Sequence, residues 1–351
     1  DGDAAMLEEA ARIADLHADI SLGIEARIKL IKASNWSGNH ELAIAAFTWC
    51  VAQLDRDEQL RQRWERKLLW YFKWIVQSLS EYSQVSREQI EKSFDEMSDR
   101  FLRIGFGAGA IFKCKAYTSI RLGDMQAFYE ARQRWLESPR DSISDCPACQ
   151  TDSAVEFELH IGEIEKAIAI AEPIIQGHQK CTEIPCLTFG RLLLPLLKLG
   201  SSDLAERLHR SVIQQTLSSR DFLCVAGDHC AYLSMVGEFT KSIQVFEIGI
   251  SWVMTARRTW DRMCFLGNAA ILFERLAKQG EGTIQLRIPK DAPFYAGDDN
   301  YKPSAVANHL EQMRAELAGE LNRRNGNTSM DGRHQSFRDL IAAIPMHQLN
   351  G

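Results

Sequence analysis

Four of the nine cysteines stand in two short turns, Cys146 and Cys149 in the run CPAC and Cys181 and Cys186 in the run CTEIPC. Two residues between ligands let both sulfurs of a CxxC face one ion, and four thiolates around one ion make a tetrahedral structural zinc site. The wider gap in the second pair is also permitted, and His178 stands close by as a reserve ligand. A zinc ion held this way would staple two parts of the chain and add its binding free energy to folding. Two other readings stay open: unligated thiols in a reducing compartment, or a redox dithiol at Cys146 and Cys149. A redox dithiol normally opens a helix beside a strand. Four Cys ligands would close the coordination sphere to water, so catalytic zinc is not expected.

The remaining cysteines, Cys50, Cys114, Cys224, Cys230 and Cys264, fall within or beside apolar helical segments, where Cys packs as a small hydrophobe. His229 beside Cys230 is not read as a metal site, because adjacent residues on a helix diverge by about 100°. Two aromatic clusters suggest contacts with a partner. Trp64 and Tyr71 belong to a dense set whose other members, Trp70 and Trp74, have the spacing of a helix core. Trp252, Arg257, Arg258, Trp260 and Arg262 mix rings with guanidinium forks, which pair with carboxylates. The run GFGAGA from Gly105 lacks the preceding strand that a dinucleotide loop requires, so it is read as a helix junction. There is no HExxH, GxxxxGK[ST] or GxSxG, nothing nominates a nucleophile, and no enzymatic activity is expected.

The elements that must position these residues are helices almost throughout, because apolar residues recur at i, i+3, i+4 and i+7. The informative feature is a repeat. Gly38, Gly123, Gly162, Gly200 and Gly237 each follow one helical stripe and precede another, and the last three intervals are 39, 38 and 37 residues. Five residues after each Gly comes Ala43, Phe128, Ala167, Ala205 or Ser242, and Phe47 and Phe246 stand four further on. The Gly supplies the positive φ that closes a helix, and the mostly small residue lets the two helices of a pair approach. The long gap between Gly38 and Gly123 leaves room for a degenerate copy, with helices near Trp64 to Leu79 and Ile90 to Ile104. Cys146 precedes Cys181 by 35 residues and Cys149 precedes Cys186 by 37, close to one repeat. Stacked pairs would therefore bring the two thiol turns to one edge.

These positions resemble tetratricopeptide repeats, although the usual Trp, Leu-Gly and Tyr positions of the first helix are mostly missing and the period is nearer 38 than 34 residues. The resemblance implies an all-α, right-handed α-α solenoid of about six or seven helix pairs. Residues 1–280 are assigned to this array. Residues 281–351 are read as an extended segment, a capping helix over about Ser304 to Arg323, a polar loop at RNGNTSMDGRHQ and a tail, all packed on the last repeats. At lower specificity DCPACQ, KCTEIPC, LLLPLLKLG and RNGN are similar to a group of uncharacterised bacterial tetratricopeptide proteins with a CxxC motif, which brings no known activity.

Composition bounds the function classes. The chain has 351 residues, 45% hydrophobic and 25% charged, with a net charge of -6, which excludes a disordered or collagen-like chain. No stretch concentrates Lys and Arg into a phosphate-tracking surface, so nucleic acid is not an expected partner. The longest apolar run, around Leu192 to Leu199, is too short to span a bilayer. No secretory signal is visible, and an odd number of cysteines fits a reducing cytoplasm, so a cytoplasmic location is expected. The expected function is a scaffold or adaptor that binds a protein or peptide in the groove of a helical array stiffened by structural zinc. The alternatives are a regulatory sensor of a peptide or small ligand and, third, a helical-repeat enzyme.

Overall fold

The computed structural model describes residues 2–345; the final residues of the expected tail, 346–351, lie outside the described residues. The chain divides into two compact units, Asp1–Ser144 and Asp145–Gly351. The protein is all-α: helices dominate both units, and among the described residues strand pairing is confined to one two-residue ladder.

The first unit contains α1 (Gly2–Leu16), α2 (Ile20–Trp36), α3 (His40–Leu54), α4 (Glu58–Leu79), α5 (Arg87–Arg103), α6 (Ala108–Leu122) and α7 (Met125–Glu137). Each helix packs on its successor, and α4 also packs on α2 and α6, which makes α2/α3, α4/α5 and α6/α7 stacked pairs. Polar residues set the starts: Asp19, Asp57 and Asp124 accept hydrogen bonds from first-turn N–H groups, and Ser86 with Gln89 closes a capping box on α5. The two helices expected between Gly38 and Gly123 are α4 and α5, which pack on each other. The core of the first unit includes Ile31, Phe47, Phe72 and Phe101, with the Phe47 and Phe72 rings 4.7 Å apart. Lys73 is fully buried and donates from Nζ to the Ile143 carbonyl at 2.5 Å. The GFGAGA run is a helix junction, with Gly105 and Gly107 at positive φ and α6 beginning at Ala108.

The second unit contains α8 (Pro147–His160), α9 (Ile164–Ile175), α10 (Cys186–Lys198), α11 (Ser202–Thr216), α12 (Leu223–Met235), α13 (Phe239–Thr255) and α14 (Thr259–Lys278). Strands β1 (Ile284–Gln285) and β2 (Asn300–Tyr301) pair antiparallel, and α15 (Pro303–Asn325) and α16 (Ser329–Ala342) follow. The pairs are α8/α9, α10/α11 and α12/α13, with α14 packed against α15; α8, α10, α12 and α14 pack on one another in sequence and form one inner face. The stretch read as a polar loop after α15 is mostly helix instead. Gly326 closes α15 in the left-handed region and α16 starts three residues later.

The repeat signature maps onto this architecture position by position. Gly38, Gly123, Gly162, Gly200 and Gly237 all have φ between 70° and 85° at the ends of first helices. The residues five further on, Ala43, Phe128, Ala167, Ala205 and Ser242, are all buried. Among the described residues no helix is long and apolar enough to cross a membrane.

Close approach between consecutive pairs has a direct test at Gly249 in α13. A Cβ there would drive into the ring of Phe265, which is fully buried on α14. Gly249→Ala is expected to lower stability by about 1–3 kcal/mol through overpacking, read as a reduced denaturant midpoint. Gly282→Ala, where a Cβ meets open space, is expected to stay within about 0.5 kcal/mol of the parent.

Candidate metal centre

Three of the four turn cysteines converge. The sulfurs of Cys146, Cys149 and Cys181 lie within 4.8 Å of one another. One ion with Zn–S bonds of about 2.3 Å cannot hold sulfurs further apart than about twice that length, so the three thiols fit a common ion. Cys146 is the N-cap of α8, where its Sγ accepts the Cys149 N–H at 3.5 Å, and Pro147 starts the helix. That places Cys149 in the first turn. Cys181 belongs to the connection between α9 and α10, a turn closed by its own N–H to the Ile184 carbonyl at 3.1 Å. The buried Ile184 and a hydrogen bond from Gln215 on α11 to the Thr182 carbonyl fix this turn in place. The sulfurs of Cys149 and Cys181 are 3.3 Å apart. The repeat thus brings the two turns together, as the 35-residue spacing implied.

Cys186 does not join them. It opens α10, is fully buried, and faces the Thr216 hydroxyl at the α10/α11 contact. A residue inside the first helical turn follows the direction of that helix, and here α10 turns the side chain inward. His178 is exposed and outside the sulfur cluster. The site presents three thiols, not four.

The electrostatics divide the sulfurs. Cys181 is lowered to about 6, first by the hydrogen bond from Cys149 and also by the backbone N–H groups of Glu183 and Ile184, against burial. Cys149 is pushed in the opposite direction by the same hydrogen bond and by burial. One sulfur therefore carries charge readily, which a thiophilic cation requires of its ligands.

Beside the thiols the inner face carries buried charge. Asp152 of α8 accepts from Thr188 Oγ1 at 2.7 Å and from Arg191 Nη1 through both oxygens at 2.7 Å, and Arg191 also reaches Glu156 at 3.2 Å. Arg258 pairs with Asp221 at 2.9 Å and Asp261 at 2.6 Å. Asn268 donates to Asp228 at 2.6 Å. Glu183, half-buried among Asp221, Cys181 and Asp152, is pushed up to about 8 mainly by burial, with Arg258 opposing.

The aromatic and cationic candidates divide between core and surface. Trp64 is 8% exposed and belongs to the core of the first unit, with Arg63 and Lys67 over its ring. Tyr71 is half-buried edge-on to Trp70 and Trp74. Trp260 is buried beneath the Arg333 guanidinium, 4.6 Å from its ring centre, while Trp252 is half-buried and Arg257 exposed. Arg262 is half-buried, and its Nε has no hydrogen-bond partner among the described residues.

Two features escaped the sequence reading. One is the set of polar contacts between positions about one repeat apart. The other is a buried pair, His209 and His229, with Nδ1 atoms 2.8 Å apart. His229 thus pairs with another histidine, while Cys230 turns to Ser242, so their adjacency in sequence carries no common site.

No protein-family profile matches this chain, and no curated protein matches it either.

Asp228 provides a pH test of the inner face. Burial pushes its carboxyl from 3.8 up to about 6, while Arg191, Asn268 and Arg333 oppose the shift. A folded value above the unfolded one means that stability present at low pH is lost as pH rises through the folded value. Asp228→Asn escapes that loss and can still accept from Asn268. The stability gap, variant minus parent, should therefore widen between about pH 4 and pH 6 by at most about 1.4 kcal/mol per pH unit and then level off. Denaturant unfolding across this range checks it, and a gap independent of pH would contradict it.

Proposed function

We propose that the protein is a tetratricopeptide-like scaffold that binds a helical protein segment on the inner face of its second unit, with a structural zinc ion held by Cys146, Cys149 and Cys181. The observation that carries the binding reading is that this face already holds a helix. Helix α16 packs on α10, and Arg338 forks onto Glu274 of α14 at 2.8 and 2.7 Å. Arg333 covers Trp260 of α14 and reaches His160 Nδ1 of α8 at 3.4 Å. His334 stands 3.5 Å from Glu311. Met330 is buried, Phe337, Leu340 and Ile341 are half-buried, and Ile344 just beyond the helix is buried, so α16 is held by a short apolar edge as well as by cationic contacts. The face therefore suits a helix with spaced basic side chains and a short apolar edge.

The zinc reading is supported by placement as well as chemistry. The three sulfurs tie the start of α8 to the turn that enters α10, so an ion there would clamp one helix pair to the next. Three thiolates leave one position of a tetrahedral ion for a water or an outside donor.

Two measurements test this. A labelled peptide of residues 329–345 should bind a chain ending at Gly326 and bind the intact chain at least about tenfold more weakly, because tethered α16 competes at high effective concentration. No binding to either chain would remove the binding reading. Elemental analysis of protein prepared without a metal-affinity step should give close to one zinc per chain, and less than about 0.2 would reject the ion, given how tightly thiolate sites hold it. Cys149→Ser should lose the zinc and melt at lower temperature; a variant melting with the parent would mean that the thiols hold nothing.

A further inference from the structure

The geometry points to an oxidation site at Cys149 and Cys181: a hydroperoxide converts these two thiols into a disulfide, bypassing the CxxC neighbours Cys146 and Cys149. The pairing follows from distance. Cys149 and Cys181 place their sulfurs 3.3 Å apart, whereas the Cys146 sulfur is engaged as the cap of α8, facing the Cys149 N–H at 3.5 Å. Closing the remaining gap to a bond of about 2.05 Å needs side-chain rotation and a small shift of one exposed turn, since both residues are only half-buried. The products also differ. A Cys149–Cys181 bond closes a loop of 32 residues, and a Cys146–Cys149 bond closes a ring of three. In the chain-entropy account the longer loop constrains the unfolded chain more and stabilises the folded one more.

The chemistry balances with one hydroperoxide per chain. The sulfur of Cys181 attacks the outer oxygen, the O–O bond breaks, and the thiol proton leaves with the departing oxygen as water or an alcohol. Cys181 is then a sulfenic acid. The sulfur of Cys149 attacks the Cys181 sulfur, the S–O bond breaks, and hydroxide leaves as water with the Cys149 proton. Two thiols are oxidised by two electrons and the peroxide is reduced.

This inference uses the same sulfurs as the proposed zinc site but does not rest on it. Oxidation consumes two of the three thiols, so ion and disulfide exclude each other. The test uses the full chain, reduced and freed of metal with a chelator, then treated with hydrogen peroxide and mapped by peptide mass spectrometry without reduction. The expected result is one cross-linked peptide pair containing Cys149 and Cys181, lighter by two hydrogens, with both residues lost from thiol labelling. Cys146→Ser, which keeps the pair, should give the same product. A dominant Cys146–Cys149 bond, or over-oxidation with no cross-link, overturns the inference. In a second arm, zinc-loaded chain should form the bond at least about tenfold more slowly, as expected where the metal must leave first. A chain that takes up no zinc yet forms the bond supports the oxidation site and removes the zinc reading. A chain that holds zinc and, once stripped, fails to cross-link does the reverse.

Discussion

The inner face of the second unit depends on one constraint: a residue on the first helix of a pair lies beside the residue about one repeat ahead. The contact of Asp152 with Thr188 and Arg191, 36 and 39 residues on, expresses it most fully. The Asp152 side chain is 8% exposed and would be costly as a lone charge. It persists because three donated hydrogen bonds converge on it from α10. Removing one partner of such a pair is far more damaging than replacing both, so the contact acts on register more than on net stability. If α10 slid by one turn against α8, Asp152 would lose both partners together.

The same spacing recurs elsewhere. Asp221 meets Arg258 at 37 residues, Asp228 meets Asn268 at 40, and in the first unit Glu81 meets Tyr117 at 36. These contacts share a geometry and differ in chemistry, so apolar packing sets how closely pairs approach while polar contacts set which positions face each other. The thiol cluster belongs to this series at a shorter separation, 32 residues for Cys149 and Cys181, because Cys181 lies in the connection before α10 and not on a helix face. Register fixed by the buried acids thus also determines whether three sulfurs can meet.

What was legible in the sequence follows from how local each determinant is. The five glycines and the residues five positions later were readable because a positive φ and a tight helix crossing restrict residue type by sterics alone. Bringing the CPAC and CTEIPC turns together needed only the period. Cys186 was misassigned because its direction depends on where α10 starts, and the short segment EIPC allows both an exposed turn and an inward first residue. Helix α16 was hidden for a different reason. Its stretch is rich in polar residues and Gly, a composition that local propensity scores as loop, whereas its partners Glu274, Trp260 and His160 are 64 or more residues away for the first and 173 for the last. The buried acids were visible as residue types but not as contacts, since a charged residue on a helix is usually a solvated one.

Helix α16 also bears on any measurement of binding to the intact chain. A face filled by its own helix is available only for the fraction of time that helix is displaced, and the observed affinity is weakened by that fraction. The seat of α16 is modest: the Arg338 fork onto Glu274 is partly exposed, at 35% and 28% of the side chains, and exposed ion pairs contribute about 0–1 kcal/mol each. Two buried apolar residues, Met330 and Ile344, and contacts of this size hold the helix against an outside competitor mainly because it is tethered three residues beyond Gly326. A partner of the proposed kind would then need only a slightly longer apolar edge, or one more basic residue set against Glu311 or Asp228, to prevail. Specificity would then lie in the spacing of its cations relative to carboxylates whose positions the repeat has already fixed.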